Sequence, residues 1–313
     1  ASRNFGNKLW NMTRFALRSM EPDKIEMDAD GPVRPTGDLA IIDRWIISRL
    51  DALTEDVTGL LDRHLYGEAG RHISDFLWSE VADWYIEAAK VRLRDGGDAA
   101  KTVGQVIAYV LERSLRLLHP YMPFITEALW QQLPHVGESI MVAPWPEAGT
   151  RDEGAEAEVD AMMELVRGIR NARTEAGVEP GKWISATIFA GDHLDAFEQL
   201  RGEIGFLARI DGEHLELREG KPGETGNAIT VVAGDVVAIL PLEDMVDLGA
   251  ERERLAKELD EARAEQQRAE KQLSNESFVS RAPDHVVQVQ RDRLERAKEQ
   301  IAVIEKRLGA LDG

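Results

Sequence analysis

Apolar residues recur along most of this chain at intervals of three and four, the spacing of one helical face. Phe5, Leu9, Met12 and Phe15 mark the first such face. Glu21–Asp38 follows with three prolines and two glycines, so a loop is expected there. Ile41, Ile42, Trp45, Ile46, Leu50, Leu53, Val57 and Leu60 predict a second amphipathic helix. Ile73, Phe76, Leu77, Val81, Trp84 and Ala88 predict a third. After a loop at Asp95–Asp98, the stripe Val103, Val106, Ile107, Val110, Leu111, Leu115 and Leu118 predicts a fourth. It should end at His119-Pro120, because the residue before a proline is pushed out of the α region. A short fifth helix is expected over Phe124–Leu133. Long helices joined by short connections form an antiparallel bundle, expected over residues 1–137.

The pattern then changes. Glu153–Gly177 reads as helix and Trp183–Phe189 alternates like a strand. His193–Glu203 is a short helix candidate. Glu213–Arg218, Ala228–Val232 and Val236–Leu240 are short strand candidates, the last two joined through Gly234-Asp235 as a hairpin. Residues 138–245 are thus expected to form a small α+β domain. Beyond them, Leu248, Leu255, Leu259, Ala262, Gln266, Ala269 and Leu273 keep a heptad, as do Val287, Leu294, Ala297, Ile301, Ile304, Leu308 and Leu311. Ser274–Asp284 separates the two runs, with Pro283 suited to start the second. Two antiparallel helices of ~26 residues at ~1.5 Å rise would make a rod of roughly 39 Å, expected over 246–313. The fold class is therefore mainly α: an antiparallel helical bundle, a small α+β domain and a C-terminal antiparallel coiled-coil hairpin.

Length and composition narrow the chemistry. The 313 residues suit two or three domains, and a 43% hydrophobic content can fill their cores. With no cysteine, disulfides and thiolate metal sites are excluded, and a cytoplasmic compartment is the simplest expectation. No secretory leader or transmembrane run is present at the sequence level, so no membrane partner is expected. The net charge of −19 opposes indiscriminate binding of nucleic acid. Yet residues 1–20 hold four basic residues and no acidic one, so an anionic partner would meet a defined face. No phosphate-cradling glycine motif, HExxH, GxSxG or paired CxxC occurs. No catalytic residue, metal ligand or cofactor site is assigned within the chain, which reads as a binding structure.

Several segments carry a family resemblance. SRNFGNKLWNMTRF (Ser2–Phe15) resembles the start of the anticodon-binding bundle in the valine, isoleucine and leucine group of class I aminoacyl-tRNA synthetases, and is most similar to the valine enzymes. FLWSEVADWYIEAAKVRL (Phe76–Leu93), LLHPYMPFITEALWQQLP (Leu117–Pro134) and LVRGIRNARTEAGVEPGK (Leu165–Lys182) look like the bundle and the segment after it. The terminal hairpin with LSNESFVSRAP (Leu273–Pro283) is similar to the coiled coil typical of valyl enzymes, and argues against isoleucyl or leucyl relatives. The resemblance runs through the whole chain in order. It implies a parent that joins valine to tRNA with ATP and Mg. The HIGH and KMSKS signatures of that group are absent from this sequence, so the catalytic and editing domains are expected N-terminal to Ala1, and the chain alone is expected to be inactive.

Candidate binding residues follow from spacing, strengthened by the resemblance. Arg3, Asn4, Asn7, Lys8, Asn11 and Arg14 are the anticodon-binding candidates. Asn4, Asn7, Lys8 and Asn11 share one arc of a helix, where amides can read base edges and cations meet phosphates. Trp10 would stack on an unpaired base or fill the core. Trp45, Trp78, Trp84 and Trp130 lie on apolar stripes and are expected in the core. A weaker set for the tRNA body is Arg167, Arg170, Asn171 and Arg173, with Arg252, Lys271, Arg281, Arg291, Arg293 and Lys298 on the hairpin. The hairpin is nearly charge-balanced, with 13 Lys/Arg and 14 Asp/Glu over 250–313. Phe278 is either a tip contact or a staple for the turn. The expected partner is a valine-accepting tRNA and the expected state a monomer. The rival reading is a coiled-coil interaction scaffold.

Overall fold

The computed structural model describes the backbone of residues 2–223, 226–245, 248–274 and 284–311, and the side chains of 4–223, 226–245, 255–274 and 286–306. Backbone contacts divide the chain into two units: 1–175 with 179–241, and 176–178 with 242–313.

The first unit begins with α1 (Ser2–Ser19), whose Leu9, Met12, Ala16 and the following Met20 are buried. The proline-rich loop after it holds a two-residue antiparallel ladder, β1 (Met27–Asp28) with β2 (Gly31–Pro32). Next come α2 (Ile41–Asp62), α3 (Tyr66–Asp75), a π-helical segment (Phe76–Tyr85) and α4 (Ile86–Asp95). The last three make one helix; its π character shows where the Ile86 N–H reaches back five residues to the Val81 carbonyl. α5 (Gly97–Leu118) is capped by Gly96, with Gly96 and Gly97 both at positive φ, and α6 (Pro123–Trp130) follows the His119-Pro120 corner. Trp45, Tyr85, Trp130, Ile46, Leu77 and Ile107 are among the largest side chains sealed in the core between these helices.

Most polar groups inside the bundle are paired, as burial demands, although Trp45 Nε1, Glu112 Oε2 and Arg113 Nε have no hydrogen-bond partner among the described residues. Glu112 is fully buried and accepts from Arg116 Nε and Trp130 Nε1, both at 2.7 Å. Burial pushes its carboxyl up despite the Arg116 charge. Arg116 reaches on to Asp30 in the loop, at 2.7 Å. Asp43 accepts from Tyr85 Oη at 2.8 Å and from Arg92.

The connector after α6 is fastened to α2 by hydrogen bonds. Trp145 Nε1 donates to Thr58 (2.9 Å), the Gly149 N–H to Asp51 (2.8 Å) and the Asp152 N–H to Ser48 (2.7 Å). α7 (Glu153–Glu175) then leans on α2, where Glu156 accepts from Ser48 and Arg151.

A four-stranded sheet closes the unit: β3 (Ile184–Phe189), β4 (Ile210–Arg218), β5 (Ala228–Ala233) and β6 (Val236–Pro241), in the order β4-β3-β6-β5. The hairpin expected at Gly234-Asp235 is there, with Ala233 opposite Val236 and Gly234 at φ 59°. β3 and β4 pair in parallel, joined over the sheet by α8 (Leu194–Gln199) and α9 (Arg201–Ala208). Alternate residues of β3 and β6 are buried, the mark of a sheet covered on one face. α7 approaches so closely that a Cβ on Gly168 would stand 2.7 Å from Val231 Cγ1.

The second unit holds α10 (Leu242–Met245), α11 (Leu248–Leu273) and α12 (Asp284–Leu311). Leu255, Leu259, Ala262 and Ala269 of α11 and Val287 and Ala297 of α12 are buried. Arg263 bonds Glu305 at 2.8 Å, while Ala269 and Lys271 share a groove with Gln290 and Arg293. Advancing along α11 thus means retreating along α12, which is the antiparallel pairing the heptads imply.

Candidate nucleic-acid interface

The polar arc of α1 faces solvent. Asn4, Asn7, Asn11, Arg14 and also Arg18 are exposed, and Arg14 donates to the Asn11 amide oxygen at 3.0 Å. Trp10 flanks this arc and is 49% exposed, so it lies on the surface and not in the core. Lys8 sits apart from the stripe: its Nζ is 2.6 Å from Asp83 and 3.9 Å above the Trp78 ring. The side chain of Arg3 lies outside the described residues.

Trp78, expected in the core, is 37% exposed. It stacks on Phe5 with ring centroids 6.4 Å apart, below Lys8. Even counted at 3.6 residues per turn, Trp78 lies at the edge of the buried stripe of Ile73, Phe76, Leu77, Val81, Trp84 and Ala88, which accounts for its exposure. Trp45, Trp84 and Trp130 are buried as expected. Beside Trp78 opens a mostly apolar cleft of about 520 Å³, walled by Phe5, Trp78, Leu118, Tyr121 and Met122, with Asn4, Ser74 and Asp75 at its polar edge. Tyr121 is fixed there by its hydroxyl donating to the Tyr66 carbonyl at 2.8 Å. Its ring lies against Gly70, where a Cβ would come within 2.9 Å.

The second cluster is built on α7. Arg167 and Arg170 both lie over the Trp84 ring, at 5.2 and 5.4 Å from its centroid. Asn171 is exposed beside them. Arg173 points elsewhere: it is buried, and its guanidinium donates to the carbonyls of Lys182 (2.7 Å), Glu179 (3.2 Å) and Arg209 (3.4 Å). Its place is to pin the turn before β3. The structure adds members that spacing could not reveal. Arg209 lies 5.2 Å from the Trp183 ring and 5.7 Å from Phe206, and Arg94 from α4 covers Phe206 at 4.8 Å. Burial, together with the charges of Arg167 and Arg209, pulls the Arg170 guanidinium below its usual value.

On the hairpin, Lys271 and Arg293 line one groove of about 590 Å³ with Arg268, Glu265 and Gln290. Arg291 and Lys298 are exposed but do not line it. Arg281 and Phe278, and the side chain of Arg252, lie outside the described residues. Among the described residues, no group of three or more His, Cys, Asp or Glu could hold a metal ion, and no helix is long and apolar enough to cross a membrane.

Comparison with known proteins gives these surfaces a family. Residues 43–188 match the model of the anticodon-binding domain of tRNA ligase, and 247–312 that of the valyl tRNA synthetase tRNA binding arm. α1 precedes the first match. The chain is therefore assembled from recognition modules of a tRNA ligase. It is 39% identical to the valine–tRNA ligase of Carboxydothermus hydrogenoformans over 99% of its own length and 35% of the relative's. It is 38% identical to that of Bacillus subtilis over the same shares. Against the Streptomyces avermitilis enzyme the figures are 39%, 98% and 33%. The chain carries an anticodon-binding domain of the tRNA ligases and a valyl-tRNA synthetase tRNA-binding arm, and corresponds to C-terminal portions of these bacterial enzymes. It spans about a third of the length of the curated relatives it matches.

Proposed function

We propose that this chain is the tRNA-recognition portion of a valine–tRNA ligase. The bundle reads the anticodon of a valine-accepting tRNA through the outward face of α1, where Asn4, Asn7 and Asn11 supply amides, Arg14 a cation and Trp10 an exposed ring. Unstacked bases of a single-stranded loop are the targets such a face suits. The adjoining cleft, with aromatic walls and an amide, a hydroxyl and a carboxylate at its rim, would take a base turned out of the loop. The coiled-coil hairpin clamps the tRNA body by shape and phosphate contacts, and the protein works as a monomer in the cytoplasm. Together the parts orient the acceptor end toward a catalytic domain outside this chain, which would use ATP and Mg. That contribution is positioning rather than chemistry.

The observation carrying this reading is the order of the two modules along one chain, anticodon-binding domain and then tRNA-binding arm. The test is binding to a tRNA with a valine anticodon beside the same tRNA with its middle anticodon base changed, at low and moderate salt. A mismatch at a directly read base should weaken binding by about 1–3 kcal/mol. Equal affinity for both would remove sequence reading from the bundle. No binding to either, with a dimer in sedimentation, would favour the interaction scaffold.

A further inference from the structure

Elsewhere in the first unit, four part-buried arginines rest on carboxylates, Arg34 on Asp51, Arg49 on Glu80, Arg92 on Asp43 and Arg116 on Glu112, while Arg173 rests on carbonyls. With 57 acidic residues against 38 basic ones, an arginine here has no shortage of partners. Arg94, Arg167, Arg170 and Arg209 depart from the rule. Among the described residues none of them has a carboxylate within 4.0 Å, and they gather over three aromatic rings, Trp84, Phe206 and Trp183. The acids that act on Arg170, Glu87 and Asp83, are engaged by other cations. Asp83 is held by Lys8 and Glu87 by Lys90, each at 2.6 Å.

The cluster is also held in place. The Arg170 Nε–H donates to the Leu207 carbonyl at 2.9 Å, and the Arg94 Nε–H to the Lys90 carbonyl at 3.3 Å. Arg209 caps α9 in the left-handed conformation, φ 58°, unusual for a residue with a side chain. Four like charges therefore gather from α4, α7 and the α9–β4 corner with no carboxylate in ion-pair range among the described residues, Glu87 and Asp83 acting on Arg170 and Asp160 on Arg167 only from farther off. Burial and the neighbouring arginines make the Arg170 cation less favourable than in water. Convergent cations of this kind are relieved when an anion arrives.

We propose that Arg94, Arg167, Arg170 and Arg209 form a phosphate-binding surface for the sugar–phosphate backbone of RNA, separate from the α1 face. Trp183, 44% exposed beside Arg209, adds an aromatic surface at its edge. RNA suits the site better than an acidic protein, because planar guanidinium forks match phosphate oxygens and the neighbouring aromatic rings suit bases. The proposal rests on the tRNA-binding reading above, but not on its anticodon component. The surface fixes register and affinity and carries no base sequence.

The test uses the 313-residue chain and two tRNAs that differ in the middle anticodon base, titrated across a range of salt. Arg94→Gln with Arg167→Gln, and separately Arg209→Gln, are compared with Arg→Lys variants at the same positions. Each phosphate left without its cation should flatten the plot of log K against log salt by about 0.7–0.9. Affinity at moderate salt should fall roughly tenfold for the double variant, by the same factor for both tRNAs. The Lys variants should keep the slope, which separates removal of charge from damage to the fold. An unchanged slope in the Gln variants while anticodon preference persists would overturn the proposal and spare the anticodon reading. A flattened slope with no anticodon preference would do the reverse. No tRNA binding at all overturns both. If the Gln variants bind tRNA normally and lose affinity for poly-glutamate instead, the surface serves an acidic protein and the proposal fails.

Discussion

Gly168 stands between Arg167 and Arg170 on the side of α7 that meets β5, and it sets how near the helix lies to the sheet. Gly168→Ala places a methyl 2.7 Å from Val231 Cγ1, inside the distance at which something must move. Valine is stiff about χ1, so it cannot turn aside cheaply. Overpacking of this kind costs about 1–3 kcal/mol. Against it stands the gain of replacing a mid-helix glycine, about 0.8–1.0 kcal/mol. The clash wins, and the net destabilisation should be about 1 kcal/mol. In a Val231→Ala background the obstructing methyl is gone, so the same change should reverse sign and stabilise by nearly the full helix gain. The assay is urea unfolding followed by tryptophan fluorescence. All seven tryptophans, from Trp10 to Trp183, fall in the first unit, so the signal reports that unit alone. If Gly168→Ala stabilises the wild-type background, or acts with the same sign in both, α7 does not sit where close packing requires, and the placement of Arg167 and Arg170 fails with it.

Glu203 is buried in α9, and burial pushes its carboxyl up from the usual 4.5. A raised carboxylate contributes stability that is present below its unfolded value and lost as pH rises through the folded value. Glu203→Gln should therefore stabilise the first unit at pH 7, by about 1 kcal/mol, with the benefit vanishing toward pH 4; thermal melts of both proteins at the two pH values decide this, and a constant difference would refute it. Removing residues 247–313 should weaken tRNA binding while leaving the anticodon preference largely intact. Equal affinity of the shortened and full chains would eliminate the clamp role of the hairpin.

Periodicity revealed those parts of the molecule whose stabilising contacts lie close in sequence. The heptads ending at Leu273 and beginning at Val287 announce α11 and α12, and the stripe from Val103 to Leu118 announces α5, because each element shows its own buried face. Gly234-Asp235 likewise marks its hairpin with a single local signal. The parallel pairing of β3 with β4 had no such signal, since it depends on two helices carrying the chain back over the sheet. The π winding was hidden too, because Phe76, Leu77 and Val81 satisfy a helical stripe under either pitch. Asn4, Asn7, Asn11 and Arg14 were legible because a single helix carries all of them. Arg94 and Arg209 were not, being 115 positions apart in the chain and joined only by their shared approach to Phe206. Arg173 shows the converse, a cation with the right neighbours in sequence whose fork is spent on carbonyls.

The π-helical segment has a consequence for how this family of chains can vary in length. In an ordinary α-helix one added residue turns everything beyond it by about 100°, which would carry Arg92 away from Asp43 and Arg94 away from Phe206. A helix whose hydrogen bonds reach back five residues absorbs an extra residue as local widening and returns to its original phase afterwards. Phe76–Tyr85 is thus a place in the first unit where extra chain is already stored as wider winding. Loss of one residue there, with return to α winding, would reshape the ground beneath Lys8 and Trp78 while leaving the partners of Arg92 and Arg94 where they are.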